Sequence, residues 1–425
     1  MPQLALQSAA HRLLALAAGL LVLGGAAAGI VRGYQASRAR AAWNPESLAR
    51  AVRLEPDNAA GWHRLGRWEE LSLSQGNLER ARDHYREATR LNPYESRYWL
   101  DLANILAVTG APQEAEAAAG QALSVDPHTP ATLWAAGNFW LRTAEPQRAF
   151  PYLRAALEAD VGLAPALIQS CHNAVRDPEV VLREVLPPRP RFYLVYLWLL
   201  LRQDEAAGAA RVWRALVELG GDFKAEQALF YVDNLIDAGD ADSAVQAWND
   251  LKRLKLVPEA GDPEELLYNA ALRRQTLNGG FDWRVVDHPH VSVTQGSGRP
   301  GSPAAAVVIR FSGEDNLYYR HFFQFVLVEP NTRYRFEAWA SSENISTESG
   351  VRLEVYAPHD SAASPAYSTG LVGTSDWQPL AVEFTTGPRT RLVRVGIVRL
   401  PSQRVEGRIR GVVRATEFSL RRVGP

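Results

Sequence analysis

The chain has 425 residues, 47% of them hydrophobic and 22% charged, and a net charge of −1. That length predicts two or three domains, and that composition excludes a largely disordered chain. The charge balance excludes nucleic-acid binding driven by bulk positive charge, and the single cysteine, Cys171, excludes an internal disulfide framework or a thiolate-rich metal site.

The first predicted element is an uncharged run, Leu13 to Val31, preceded by Arg12 and followed by Arg32, Arg38 and Arg40. As a helix it is just long enough to cross a hydrocarbon core of about 30 Å. A signal peptide would use the small residues Ala26–Ala28 as its cleavage site. A retained single-pass anchor is the preferred reading, because the apolar run continues past that site through Ile30 and Val31. Residues 1–41 are therefore read as anchor and juxtamembrane segment, with the span at about 13–31. The arginines after the span favour a cytoplasmic C-terminal side. The character of the C-terminal domain favours the outside, and an extracytoplasmic soluble part at the inner membrane is the expectation.

Residues 42–161 repeat. The segments AVRLEP, ATRLNP and ALSVDP end in Pro56, Pro93 and Pro127, the last two 34 residues apart. On one frame Trp62, Trp99 and Leu133 coincide, as do the pairs Leu65-Gly66, Leu102-Ala103 and Ala136-Gly137. Ala81, Ala115 and Ala149 coincide further on, then Tyr85, Ala119 and Leu153, then Ala88, Ala122 and Ala156. Small residues let two antiparallel helices approach closely, large ones fill the gap to the next pair, and proline ends the second helix. The first unit carries three extra residues, placed in the turn around Ser72–Asn77. The pattern resembles the tetratricopeptide repeat (TPR), which implies an α-solenoid with a groove for a protein partner. Its first helices line the inner face of such a solenoid. That makes Trp62, Arg64, Arg67, Asn104 and Asn138 the candidate groove residues.

Beyond 161 the repeat blurs. Arg191–Leu201 is too short to span a membrane and reads as a buried helix. Trp213 and Trp248, each preceded four residues earlier by alanine, suggest two degenerate repeats, so the helical region is set at 42–255. Residues 218–266 are acidic, which reads as a solvated face. Residues 256–277 are read as a linker, Leu256–Pro263, and a last helix, Glu264–Gln275.

From 278 the period changes to two. Apolar alternates recur at Ala305–Phe311, Tyr319–Leu327, Tyr334–Ala340, Val351–Val355, Leu380–Phe384 and Val393–Ile397, which predicts an antiparallel β-sandwich over 278–425. Asn278-Gly279-Gly280-Phe281-Asp282, Gln324-Phe325-Val326 leading to Tyr334–Ala340, Asp376-Trp377, and Thr416–Leu420 resemble motifs of carbohydrate-binding-module jelly rolls of the galactose-binding-like kind. The fold expectation is thus multidomain α + β: an N-terminal transmembrane helix, a TPR-like solenoid and a jelly-roll sandwich. The resemblance implies a structural calcium between the opening acidic residue, here Asp282, and a closing aspartate that this chain lacks.

If Tyr319, His321, Phe323, Phe325 and Leu327 face the core, the other alternates of three successive strands form one open face: Tyr318, Arg320, Phe322 and Gln324, then Arg333, Arg335, Glu337 and Trp339, then Arg352, Glu354 and Tyr356. Flat aromatics beside planar polar groups suit a sugar ring, although the same face could be covered by a domain or partner. Trp377 is expected in the core. Ten arginines in 389–425 could meet an anionic ligand, or the acidic 218–266 stretch, which is the default. His288-Pro289-His290 lacks a third metal ligand, Cys171-His172 diverge on a helix, and no catalytic motif appears. The expectation is a non-enzymatic adaptor without cofactor, metal or nucleic acid, binding a protein partner and a glycan, in cell-envelope or exopolysaccharide assembly. A cytoplasmic-side scaffold and a polysaccharide-active enzyme are the alternatives.

Overall fold

The computed structural model describes residues 9–72, 76–259 and 262–424. The chain divides into two compact units, Met1–Pro188 and Arg189–Pro425. The helical stretch read as one domain, 42–255, is therefore divided, and its last two hairpins belong with the sandwich.

In the first unit α1 (Ala9–Ala41) is followed by α2 (Pro45–Leu54) and three hairpins: α3/α4 (Ala59–Leu71, Leu78–Leu91), α5/α6 (Ser96–Val108, Pro112–Val125) and α7/α8 (Pro130–Arg142, Pro146–Ala159). Asn44 and Asn77 cap α2 and α4 by accepting from Ser47 N and Arg80 N, both at 2.9 Å. The frame alanines 81, 115, 149, 88, 122 and 156 are all completely buried. A side chain on Gly66 would run into the ring of Tyr85, and one on Gly137 into Leu153, so these glycines set the hairpin spacing. Trp62 Nε1 donates to Pro56 O and Trp99 Nε1 to Pro93 O, both at 2.8 Å, fastening each first helix to the end of the preceding segment. These are TPR-like hairpins. Six residues separate α3 from α4, against three in the next two hairpins. Of the turn expected to hold the insertion, residues 73–75 lie outside the described residues. The unit continues with α9 (Ala164–Val175) and α10 (Pro178–Val180), which runs into a π-helical turn.

The second unit begins with two helical hairpins, α11/α12 (Pro190–Arg202, Ala206–Leu219) and α13/α14 (Leu229–Asp237, Ala241–Arg253). The apolar run at 191–201 is α11, with Phe192, Tyr196, Leu197 and Leu200 fully buried. Trp213 stacks on Tyr231 at 4.7 Å and donates to Asp250 at 2.9 Å, joining the hairpins. The helix expected at 264–275 is absent. The segment instead runs as an irregular strap along the sandwich: Leu266 N donates to Leu420 O at 3.1 Å and Ala305 N to Ala271 O at 3.0 Å. Leu267 and Leu272 enter the sandwich core. Burial against a sheet with open hydrogen-bonding groups outweighs the helical periodicity there.

The sandwich has two antiparallel five-stranded sheets. One has the order β1 (Arg284–Val285), β4 (Tyr319–Leu327), β9 (Leu392–Arg399), β6 (Val351–Tyr356), β7 (Ala366–Tyr367). The other has the order β2 (Val291–Ser297), β3 (Ala305–Ser312), β10 (Arg410–Arg422), β5 (Arg333–Ile345), β8 (Gly373–Thr385). Inward alternates from both pack around Trp283, which stacks on Phe322 at 4.7 Å and meets Phe418 at 4.6 Å. Trp377, expected in the core, is only half-buried, on edge strand β8. Arg399 is fully buried, donating to Asn316 Oδ1 and to the carbonyls of Leu317 and Gly407 at 2.6–2.8 Å.

The α13/α14 hairpin is docked on the opening loop of the sandwich. Asp233 accepts from Gly280 N at 2.7 Å and from Arg284 at 2.6 Å. Gly280 has φ +57°, and any Cβ there would strike the Trp248 ring. Trp248 in turn meets Tyr268 and Phe281 edge-on at 5.3 and 5.9 Å. His359 bonds Ile236 O at 2.8 Å, and Arg391 pairs with Asp242 at 2.6 Å. Gly280→Ala combines a strained backbone with overpacking, so a loss of about 2 kcal/mol or more in chemical denaturation is expected. Asp233→Ala, which leaves Gly280 N without its acceptor and Arg284 without its carboxylate, should cost about the same.

Asp282 is buried and accepts from Leu277 N and Trp283 N, both at 2.7 Å. Burial pushes its carboxyl up from 3.8 to about 6, against the pull of those N–H groups. An acid raised on folding contributes stability that is full below its unfolded pKa and lost as pH rises through the folded one. Between pH 4 and 6 the wild-type chain should lose about 2 kcal/mol relative to Asp282→Asn, read as the difference between their denaturation curves.

Candidate functional site

The open face expected on three successive strands is split by the fold. β4 and β6 lie in one sheet and β5 in the other. Arg335, Glu337 and Trp339 are therefore on the opposite side of the sandwich from Tyr318, Arg320, Arg352, Glu354 and Tyr356. A second correction falls within β4. Its register against β9 shifts between Tyr319 and Phe322, a bulge that inserts one residue and reverses the alternation beyond it. Phe322, Gln324 and Val326 thus point inward, and Phe323, Phe325 and Leu327 outward. Gln324, expected on the open face, is fully buried, its amide accepting from Tyr268 N at 2.9 Å and donating to Tyr268 O at 2.8 Å.

The residues that remain on the β4–β9–β6–β7 face form one cluster. Arg320 grips Glu354 with Nε, at 2.8 Å from Oε2, and with Nη2. Arg394 of β9 reaches the same carboxylate at 3.3 Å. The ring of Tyr356 lies beside both guanidinium groups, at 4.8 Å from Arg320 and 5.2 Å from Arg394. Tyr318 stacks on Arg320 at 5.1 Å and Phe323 on Arg394 at 5.0 Å. Tyr367 pairs with Glu354 across β7 and β6. Burial, then the charge of Arg320, pulls the Arg394 guanidinium below its ordinary value, and burial raises the hydroxyls of Tyr318 and Tyr367. Gly396 lies between Phe323 and Glu354 in the ladder, where a side chain would strike the β4 backbone. The floor is consequently flat. Tyr318 is 44% and Tyr367 37% exposed, so two rings stay open to solvent beside a fixed ionic network.

The carboxylate of Glu354 is occupied by two guanidinium groups, and this arrangement can bind. It supplies stacking surfaces and planar donors held in place. Sequence reasoning missed Phe323, Tyr367 and Arg394. Arg394 was noted within the arginine-rich tail, but only the β9 pairing places it here. On the opposite face Trp339 is capped by Arg299 at 4.5 Å, itself paired with Glu417 at 2.8 Å, while Arg335 is engaged by Glu337 at 2.7 Å and Glu383 at 3.2 Å.

On the helical unit, Trp62 is not a free groove residue, because its indole is spent on Pro56 O and packs 5.6 Å from His84. Arg64 lies over Trp43 at 5.6 Å. Arg67, Asn104 and Asn138 occupy one frame position on α3, α5 and α7; Arg67 is exposed and both asparagines are half-buried. Asn104 accepts from Arg142. A cavity of about 650 Å³ opens beside Asn104, lined also by Val108, Trp140 and Arg142. Val108, 70% exposed, was not singled out from the sequence.

The remaining candidates have other duties. The carboxylate of Asp282 is engaged by backbone N–H groups, a donor set that does not fit calcium. His288 and His290 are joined by His321, with His288 at 5.8 and 5.3 Å from the other two rings, but among the described residues no set of three His, Cys, Asp or Glu is placed to hold a metal. Cys171 is buried and its thiol pushed up to about 12 by that burial. Of the arginine-rich tail, Arg391 pairs with Asp242, and Arg421 with Asp262 at 2.7 Å and Glu264 at 3.5 Å, all in the acidic stretch of the same chain.

No family model matches the chain, and no curated protein matches it. Among solved structures, the enzymatically active domain of bacteriophage CBA120 tailspike protein 4 is similar over 38% of this chain, at 12% identity and a TM-score of 0.28, and the chain spans 22% of that protein's length. YrrB, a TPR protein with an unusual peptide-binding site, is similar over 44% of this chain and 98% of its own, at 16% identity and a TM-score of 0.25. A CBM4 structure is similar over 37% of this chain and 99% of its own, at 12% identity and a TM-score of 0.27.

Proposed function

We propose that the protein is a membrane-anchored, non-enzymatic adaptor. Its TPR-like hairpins bind a protein partner, and the β4–β9–β6–β7 face of its sandwich binds a glycan, in the assembly of cell-envelope or exopolysaccharide material outside the cytoplasm. The observation that carries the glycan reading is the open pair Tyr318 and Tyr367 beside Tyr356 and the Arg320–Glu354–Arg394 network. Rings that cover the CH face of a sugar, next to donors that cannot rearrange, form a low-entropy binding platform. The row Arg67, Asn104 and Asn138, with exposed Val108 beside a cavity, supports a polar, extended protein segment as the partner of the hairpins.

The test uses the full chain in detergent. Neutral and anionic polysaccharides are screened at two salt concentrations. Tyr318→Ala and Tyr356→Ala should each weaken binding about tenfold, equivalent to about 1.4 kcal/mol, whereas Trp339→Ala on the other sheet should leave it unchanged. Binding lost only with Trp339→Ala moves the site to the other sheet. A folded chain that binds nothing makes the face a protein-docking surface.

A second reading has a specific observation behind it: Arg32, Arg38 and Arg40 follow the apolar span, which favours a cytoplasmic scaffold. Alkaline phosphatase fused after Pro425 should be active under the first reading and inactive under the second.

A further inference from the structure

The apolar part of α1 is open along its whole length, with Leu20 68% and Ile30 73% exposed, yet the helix does not end where the apolar run ends. It continues unbroken to Ala41, and this extension packs against α2. Ala36 is completely buried. The Arg32 guanidinium donates to Leu54 O, and Arg40 pairs with Glu55. A Cβ on Gly33 would lie 3.3 Å from the Glu55 carboxylate. Glu55 also accepts from Asn58 Nδ2 at 2.9 Å, which closes the turn after α2.

These contacts fix a level. α2 runs back along α1, so its last residue, Leu54, returns to Arg32, the first charge beyond the apolar run. The opposite end of the pair, at Ala41, lies ten residues past Val31, about 15 Å further along the axis at 1.5 Å per residue. Tyr34, exposed, sits within one turn of Arg32, where a ring with one polar end suits a membrane interface. Arg53, exposed, stands at the end of α2.

We propose that the turn from Arg53 to Asn58, together with Arg32 and Tyr34, lies in the phospholipid headgroup layer, so that the first hairpin abuts the bilayer rigidly and the repeats are not carried on a flexible stalk. The phosphates of the lipids are the partners of Arg32 and Arg53. This rests on the reading of α1 as a retained anchor. Its consequence is mechanical: a load on the repeats is transmitted to the membrane helix without slack.

The full chain is reconstituted into phosphatidylcholine vesicles with a fluorophore on a single introduced cysteine, Asp57→Cys, Ala41→Cys or Leu20→Cys; buried Cys171 is checked as unreactive in the parent chain. Nitroxide lipids labelled at the headgroup should quench the Asp57 probe severalfold more than the Ala41 probe, and acyl-chain nitroxides should quench the Leu20 probe. Equal headgroup quenching at the two outer sites, or stronger quenching at Ala41, overturns the apposed turn while leaving the anchor intact. A Leu20 probe untouched by acyl-chain nitroxides overturns the anchor, and this proposal with it.

Discussion

The junction between Trp248 and Gly280 decides what the second unit can present. Only a residue without a Cβ, in a left-handed conformation, lets the opening loop of the sandwich lie against the indole. Asp233 then accepts from the loop backbone and from Arg284, and Arg284 covers Phe325 on the outer side of β4 at 4.8 Å. The helical hairpin thus packs against one end of this sheet, at Gly280 and Arg284 and again at His359 and Arg391, and leaves the rings of Tyr318 and Tyr367 exposed. A sandwich cut at 278 would lose Leu267 and Leu272 from its core and the backbone partner of Gln324.

Around Tyr318 and Tyr367, ionic and aromatic groups support one another. Glu354 lies almost buried between two arginines, and each guanidinium is sandwiched between that carboxylate and aromatic rings. A buried carboxylate with one partner removed would be costly, so the network holds the rings in position whether or not a ligand is present.

Much of this was legible along the chain. The 34-residue frame located the alanines that are completely buried and the glycines that set helix spacing, because both follow from contacts between neighbours in sequence. The period-two runs located the inward alternates of β3, β5, β6, β8 and β9. The open face was not legible as drawn. Its three strands are consecutive, and alternation says which way a side chain points relative to its own sheet without saying which sheet the strand joins. The bulge in β4 was invisible for the same reason: Phe322 and Phe323 are equally apolar, and only pairing with β9 decides which of them turns inward.

The sequence by itself determined the apolar span, the repeat frame, the change from helical to alternating period at 278 and the membership of most core positions. Each of these depends on residues within a few turns or strands of one another. Tertiary structure alone decided that 264–275 is a strap, that Trp283 and not Trp377 fills the core, and that Arg394 and Tyr367 join Tyr318 and Tyr356 while Trp339 does not. Those outcomes depend on pairings between segments far apart in the chain, where burial and unmet backbone hydrogen bonds outweigh local preference.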